Sequence, residues 1–165
     1  MSESMEGVET FRQLDRLPDA IGEVISNVLE DYARGRGLEL IAWYHDLPIW
    51  MLEAKPQDHR VRRIQVSACR DRNENLALVA TADMYELGPD GAVARVVRSL
   101  PRSCVENLVI APSPWWLPEM REVQPEAFHH WRAELPKALP EMLDRVWKAA
   151  EAITEKDLEP IGARR

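Results

Sequence analysis

The stretch Leu76-Ala-Leu-Val-Ala-Thr-Ala-Asp-Met-Tyr-Glu-Leu87 decides how the rest of the chain is interpreted. By propensity alone it could be a helix, because alanine and leucine favour helix while valine, threonine and tyrosine favour strand. The next residues, Gly88-Pro89-Asp90-Gly91, have the composition of a hairpin turn and lead into a second apolar run, Ala92 to Ser99. We therefore predict that Leu76 to Leu87 is a strand that pairs antiparallel with the run after it.

Four more segments around this strand have the lengths, apolar content and turn boundaries of strands. Leu38 to His45 and Ile49 to Lys55 are separated by the short turn Asp46-Leu47-Pro48, which predicts a hairpin. Arg60 to Cys69 alternates in residue type, and Val105 to Ile110 is a short sixth candidate.

Helical patterns flank these strands on both sides. Pro18 and Asp19 open a helix that the glycines Gly35 and Gly37 end. Its apolar positions follow one helical face: Ile21, Val24, Ile25, Val28, Leu29 and Tyr32. A second helical pattern follows Pro125, and Pro136 and Pro140 predict that it is broken into a pair of helices.

Short links between successive strands exclude helical crossovers, so the fold class is α+β rather than α/β. We predict an antiparallel five- or six-stranded meander sheet, with an N-terminal helix and a broken C-terminal helical pair packed on one face. Residues 1–17 are expected to be a flexible arm, 18–154 a single domain and 155–165 a charged tail.

Composition narrows the classes of function. The chain has 165 residues, and its 28 acidic and 21 basic side chains give a net charge of −7, which disfavours nucleic-acid binding. A basic cluster is the one feature that could favour phosphate: Arg60, Arg62, Arg63, Arg70 and Arg72.

The sequence shows no secretory signal and no apolar run of about 18 residues, so we expect a cytoplasmic protein that does not enter a membrane. Cys69 and Cys104 are expected to be buried thiols.

An aromatic segment is the first candidate site. The connection that contains Pro114, Trp115, Trp116 and Leu117 cannot be helical through its prolines. Adjacent residues of an extended chain point to opposite sides, so one indole could be exposed, and exposed tryptophan is typical of interface hot spots. The alternative is that these rings seal the core where the last strand meets the helices.

A second constellation combines carboxylates with a lysine. Asp46 lies in a tight turn, and Glu53 and Lys55 follow at the end of an apolar strand with the period of two that places them on one face. These residues resemble the motif of the PD-(D/E)XK nuclease family, in which a preceding helix carries a glutamate, as Glu23 does here. The resemblance implies Mg²⁺-dependent hydrolysis of phosphodiesters, and it would be closer if Leu76 to Leu87 were a helix.

The common catalytic signatures are absent from the sequence, including the Walker A loop, the GxSxG elbow and the HExxH pair. We therefore predict a non-enzymatic binding protein of the adaptor or chaperone kind, acting through protein–protein contacts as a homodimer, with no cofactor and no metal. The nuclease is the first alternative. A helix-grip domain that holds a small apolar ligand between a curved sheet and the last helix is the second.

Overall fold

In the computed structural model, the residues whose structure is described are 11–43, 48–117, 122–123 and 131–162. The helices among them are α1 (Asp19–Arg36) and α2 (Trp131–Ala150). The strands are β1 (Arg12–Gln13), β2 (Glu39–Trp43), β3 (Ile49–Glu53), β4 (Arg60–Arg70), β5 (Leu76–Leu87), β6 (Val93–Val97), β7 (Val105–Ala111), β8 (Trp116–Leu117), β9 (Glu122–Val123) and β10 (Leu158–Pro160).

The predicted α+β class and meander sheet are confirmed. Strands β2 to β6 lie side by side in chain order, all antiparallel, and β10 follows beside β6. Two further strands complete the eight-stranded sheet, since β1 pairs with the end of β4 and β7 pairs with the first half of β5. A separate two-stranded ribbon joins β8 to β9.

Strand β5 has the bounds that the sequence predicted, and it is the centre of the sheet. All eleven residues of β4 are paired in register with β5, from Arg60 opposite Glu86 to Arg70 opposite Leu76. From Leu78 to Met84 the buried side chains of β5 recur at every second residue, which is the period of a strand, whereas at its start Leu76, Ala77 and Leu78 are all buried. Long-range pairing therefore outweighs the helix propensity of its alanines and leucines.

Both helices pack on the face of the sheet to which these alternate residues of β5 point. The indole of Trp50 on β3 is fully buried there and donates a hydrogen bond of 2.8 Å to Ser26 Oγ on α1. Helix α1 ends at Gly37, whose φ of 68° is the left-handed conformation that favours glycine. Helix α2 lies beside α1, and Tyr32 on α1 donates a 2.8 Å hydrogen bond to Asp144 on α2.

The C-terminal helix departs from the prediction of a broken pair. Helix α2 runs without interruption from Trp131 to Ala150, with Pro136 and Pro140 inside it. Each internal proline removes a backbone donor and normally costs about 3 kcal/mol. The buried face opposes this cost, because Leu139, Met142 and Leu143 are fully inaccessible to solvent in the core.

The ends of the domain also differ from the prediction. Residues Arg12 and Gln13, predicted to belong to a flexible arm, pair with Arg70 and Cys69 as β1. The predicted charged tail forms a turn and strand β10, in which Leu158 is 6% exposed. Both ends therefore add a strand to the sheet. The sequence does not reveal these strands, because backbone groups pair without any particular pattern of side chains.

Glu86 lies at the junction of β4, β5 and β6, where it accepts hydrogen bonds from Arg95 at 2.7 and 2.8 Å and from Arg60 at 3.2 Å. Arg60 also reaches Glu155, which precedes β10, at 2.8 Å. The bonds from Arg95, and then those from Arg60, hold the pKa of Glu86 at about 2, below its usual 4.5. Through Glu86 this cluster ties β4, β5 and β6 together, and through Arg60 it reaches the segment before β10.

We expect this cluster to make the fold sensitive to acid. Since the pKa is lowered on folding, the stabilisation is complete above pH 4.5 and is lost as the pH falls towards 2. The free energy of unfolding, measured by urea denaturation between pH 5 and pH 2, should fall less steeply in Glu86→Gln than in the native chain. Replacing the exposed Glu151 by glutamine is the control, and equal slopes in all three proteins would contradict the assignment.

Candidate functional site: the outer face of the sheet

The face of the sheet opposite the two helices carries no helix in the described part of the chain, and we call it the outer face. It is formed by the alternate residues of β2, β3, β4, β5 and β7 that point away from α1 and α2. Those that are apolar and half-buried or exposed are Ile41, Ile49, Val79, Val105 and Val109. Antiparallel sheets commonly place polar side chains on a face that meets water, so these apolar residues are an exception to that pattern.

The strand register arranges the outer face in rows that cross the strands. One row joins Ile41, Met51, Gln65, Thr81 and Val105 on five successive strands. The next row joins Ile49, Ser67, Val79 and Asn107. A third joins Cys69, Ala77 and Val109. In this third row Cys69 and Ala77 are buried, and Val109, at the edge of the sheet, is 47% exposed.

A charged row borders this apolar surface. Register places Glu39, Glu53, Arg63 and Asp83 side by side on β2, β3, β4 and β5. Arg63 binds Asp83 through two contacts of 2.8 and 3.4 Å, and its guanidinium lies 5.0 Å from the centre of the Tyr85 ring. The Tyr85 hydroxyl donates a 3.1 Å hydrogen bond to Glu53. We call Glu39, Glu53, Arg63 and Asp83 the charged row.

Contacts within and beside this row shift the pKa values of Arg63 and Tyr85. Burial raises the pKa of Tyr85, and the hydrogen bond to Glu53 raises it further, so the phenol remains a neutral donor. Burial alone would lower the pKa of Arg63, but the hydrogen bond and the charge of Asp83 raise it. Neither group can act as a general base near neutral pH, because the Tyr85 phenol keeps its proton and the Arg63 guanidinium has no atom that accepts one. Arg63 and Tyr85 are therefore hydrogen-bond donors in these contacts.

The residues of the nuclease alternative are not brought together within the described chain. Glu23 is exposed on α1, which lies on the helical side of the sheet, whereas Glu53 belongs to the outer face and is engaged by Tyr85. Lys55 is exposed beyond the end of β3. Asp46 lies outside the described residues. Among the residues described, no three His, Cys, Asp or Glu side chains are close enough to hold a metal ion.

The aromatic segment is placed partly in the core. Trp115 is 3% exposed and joins the hydrophobic core, while Arg70 lies over its ring at 5.7 Å from the centroid. Trp116 is half-buried, with its ring 6.4 Å from that of Trp115 and against the core, and Pro114 is exposed. The side chain of Leu117 lies outside the described residues. At Trp115 the core-sealing interpretation therefore fits better than an exposed contact.

The basic cluster is largely occupied by contacts within the chain. Arg62 donates hydrogen bonds to the carbonyls of Ala150 and Ile153 beyond the end of α2, and Arg70 pairs with Glu74 at 3.3 Å. Arg60 and Arg63 have the carboxylate partners described above. Arg72 is exposed in the turn between β4 and β5. These contacts leave little free positive charge for a phosphate backbone.

The space between the sheet and α2 is where a helix-grip domain would hold its ligand. Leu78, Ala80, Leu139, Leu143 and Val146 line it, and none of them is accessible even to water. A ligand-sized cavity does not lie against these side chains, because its walls would be accessible to a molecule as small as water.

Comparisons with protein-family models, with curated proteins and with solved structures find no significant match to this chain. Neither described helix combines the length and the apolar character needed to cross a bilayer. Cys69 and Cys104 are both buried and free, as predicted, and burial raises the pKa of the Cys69 thiol to about 11.

A second sheet face without helices follows from the predicted packing of both helical ends on one face, but the residues that form its rows were not identified from the sequence. The alternation in Arg60 to Cys69 was visible, but the rows exist only through the register of five strands, and no local pattern encodes register between strands far apart in the chain. The signal that could have indicated it was the presence of apolar residues at both odd and even positions of β3 and β5.

Proposed function

We propose that this chain is a non-enzymatic binding protein, of the adaptor or chaperone kind, that holds another protein against the outer face of its sheet. The observation that carries the proposal is a sheet face that bears no helix in the described part of the chain and presents half-buried and exposed apolar side chains from β2 to β7. Apolar patches that remain accessible on a folded domain are typical of protein–protein contact sites.

The side chains that a partner could cover are those of the outer face that are still accessible. Ile41, Ile49, Val79 and Val105 are half-buried, and Val109 is 47% exposed. Four other residues of the same face are already buried and offer little further surface: Met51, Ser67, Cys69 and Ala77.

Replacing Val79 and Val109 together by serine is expected to weaken partner binding at least tenfold, because two apolar contacts of about 1 kcal/mol each are lost. Neither side chain belongs to the core cluster, so the fold should persist. The control is Ile161→Ser, which removes a side chain of similar exposure, 55% against 47% for Val109, outside the outer face. The measurement is cross-linking of a partner in cell extract, followed by a binding titration with the purified partner and hydrogen exchange across β3, β5 and β7.

A second copy of this chain is the competing occupant, in agreement with the homodimer predicted from the sequence. Light scattering decides between the two. A mass of twice 18.9 kDa that falls to the monomer value in Val79→Ser/Val109→Ser would assign the outer face to self-association. The proposal would be contradicted if the protein is a monomer, if the partner binds the native chain, Val79→Ser/Val109→Ser and Ile161→Ser with equal affinity, and if binding protects no amide of the outer face from hydrogen exchange.

A further inference from the structure

The C-terminal segment 155–161 lies along one edge of the sheet, and we call it the strap. Its three-residue strand β10 pairs antiparallel with β6. The pairing continues one residue further, where the N–H of Ile161 donates a 3.0 Å hydrogen bond to the carbonyl of Ala94. The strap therefore occupies the edge that β6 would otherwise offer to a strand from another chain.

Strand β6 has the composition of a strand that pairs readily. Its sequence is Val93-Ala94-Arg95-Val96-Val97, which is rich in β-branched residues and carries one charge. An uncovered edge strand of this kind is a template for another chain, and proteins commonly cover such an edge or place proline and charge on it. One side of β6 pairs with β5, and the strap covers the other side.

The outward side of β10 presents no free backbone donor to a further strand. The hydrogen bond from Ile161 to Ala94 joins directly opposite residues, and in an antiparallel pair such positions alternate with positions whose backbone groups point away from the partner. Pro160 and Leu158 occupy these outward positions. Pro160 has no N–H, and the N–H of Leu158 donates to the carbonyl of Glu155 within the strap. The strap thus closes the edge of β6 without creating a new edge that could donate.

The side-chain contacts that hold the strap are of two kinds. Leu158 is 6% exposed, belongs to the hydrophobic core and is the one buried side chain of the strap. Ion pairs lie on either side of it, since Glu155 contacts Arg60 at 2.8 Å and Glu159 contacts Arg98 at 3.4 Å. Both carboxylates are more than a third exposed, and exposed ion pairs add little to stability. A short edge strand with few buried contacts is typical of segments that open locally while the rest of a domain stays folded.

We propose that the β6 edge is a strand-addition site that the strap keeps closed as an autoinhibitory contact, and that it accepts an extended acidic segment of another protein when the strap opens. Strand addition takes its affinity from backbone hydrogen bonds and its specificity from alternate side chains. The strap indicates the side chains that fit: an apolar residue in the place of Leu158, between carboxylates that reach Arg60 and Arg98. This inference goes beyond the proposed function and concerns a different part of the sheet.

Glu159→Pro is the variant that opens the strap. Residue 159 lies between the two outward positions, so its N–H faces β6, and proline there removes that donor, whereas the native Pro160 lacks only an outward one. The probe is a synthetic peptide with the sequence of residues 155–162, Glu-Lys-Asp-Leu-Glu-Pro-Ile-Gly, titrated into the full chain. Binding is followed by NMR at the amide of Val96, which lies opposite residue 159.

The peptide should bind Glu159→Pro about tenfold more tightly than it binds the native chain, or better. A closed strap lowers the apparent affinity of a competing segment by the fraction of molecules in which the edge is open. In the absence of peptide, the Val96 amide should exchange its hydrogen faster in Glu159→Pro than in the native chain, because its partner strand is released.

Glu159→Gln is the matched control for the proline. It removes the ion pair with Arg98 but keeps the backbone donor, so it should bind the peptide as the native chain does. A second peptide, in which lysine replaces both glutamates, tests the chemistry of the partner. This peptide should bind Glu159→Pro several-fold more weakly than the acidic one, because its lysines would face Arg60 and Arg98.

Leu158→Ser opens the strap by a second route, through loss of its buried side chain. The inference is overturned if a folded opening variant binds the acidic peptide no more tightly than the native chain, if both opening variants unfold by circular dichroism, or if the lysine peptide binds equally well. A native mass of twice 18.9 kDa that falls to the monomer value in Glu159→Pro would also overturn it, since the strap of a second copy would then hold the edge. These outcomes do not involve Val79 or Val109, so the proposed function stands or fails separately.

Discussion

Trp115→Ala is expected to destabilise the fold by about 3 to 5 kcal/mol, rather than to remove a contact with a partner. The indole is 3% exposed and belongs to the hydrophobic core, so alanine would leave a cavity that the surrounding side chains fill only in part. Arg70 would also lose the ring over which its guanidinium lies. A loss of this size is a large fraction of the 5 to 15 kcal/mol that stabilises a typical domain, and urea denaturation measures it.

The neighbouring tryptophan is the matched control. Trp116 is half-buried, so Trp116→Ala should cost about 1 kcal/mol. The two variants differ by one position in the chain, and extended backbone sends their side chains to different sides. Equal stability of Trp115→Ala and the native chain, together with weaker binding of a partner, would show that this indole acts as an interface contact.

The aromatic segment illustrates where sequence reasoning ends. Its prolines predict an extended connection without helix, as observed up to Leu117, and the two indoles differ in burial, since Trp115 is 3% exposed and Trp116 is half-buried against the core. Which indole is buried depends on the side from which the segment meets the core, and that is decided by the arrival of β7 beside β5. No feature within Pro114 to Leu117 encodes this long-range contact.

The strands were predictable because turn chemistry and alternation are local. Gly88 to Gly91 indicates a hairpin whatever happens elsewhere, and this is sufficient to assign Leu76 to Leu87 as a strand. With that assignment the order of β2 to β6 follows, since short links allow only antiparallel neighbours. The fold class could therefore be predicted from the sequence with few errors.

The errors share one physical origin. Pro136 and Pro140 locally oppose a helix, yet the burial of the apolar face of α2 keeps it continuous. The 158–160 segment locally resembles a tail, yet backbone pairing with β6 and the ion pair between Glu155 and Arg60 hold it in the sheet. In both cases tertiary contacts outweigh a local preference, and local preference is what a single sequence displays.

Candidate site residues are harder to predict than elements, because a site requires register. Glu53 was selected as a catalytic carboxylate on its distance along the chain from Asp46 and Lys55. Its neighbours in the sheet are instead Glu39 and Arg63, from strands on either side of it. The structure thus places Glu53 beside Arg63 and within hydrogen-bond distance of the Tyr85 hydroxyl, and the spacing of a motif could not reveal these neighbours.

Ala80→Asp and Thr81→Asp test the strand on which all of these conclusions depend. Ala80 is fully buried on the helical side of β5, opposite Val66 on β4 and Glu106 on β7, so an aspartate there would place a charge among apolar groups and close to another carboxylate. We expect Ala80→Asp to cost more than 4 kcal/mol and to leave the chain largely unfolded.

Thr81 is the next residue, but it belongs to the outer face, between Gln65 and Val105, and is half-buried. Thr81→Asp should cost only about 1 kcal/mol, the range of strand propensity, and should remain folded by circular dichroism and urea denaturation. Because alternation sends adjacent strand residues to opposite faces, the contrast between the two variants measures both the strand and the accessibility of the outer face. Similar losses from both substitutions would mean that the outer face is closed by other parts of the protein, and the docking proposal would then have no surface on which to act.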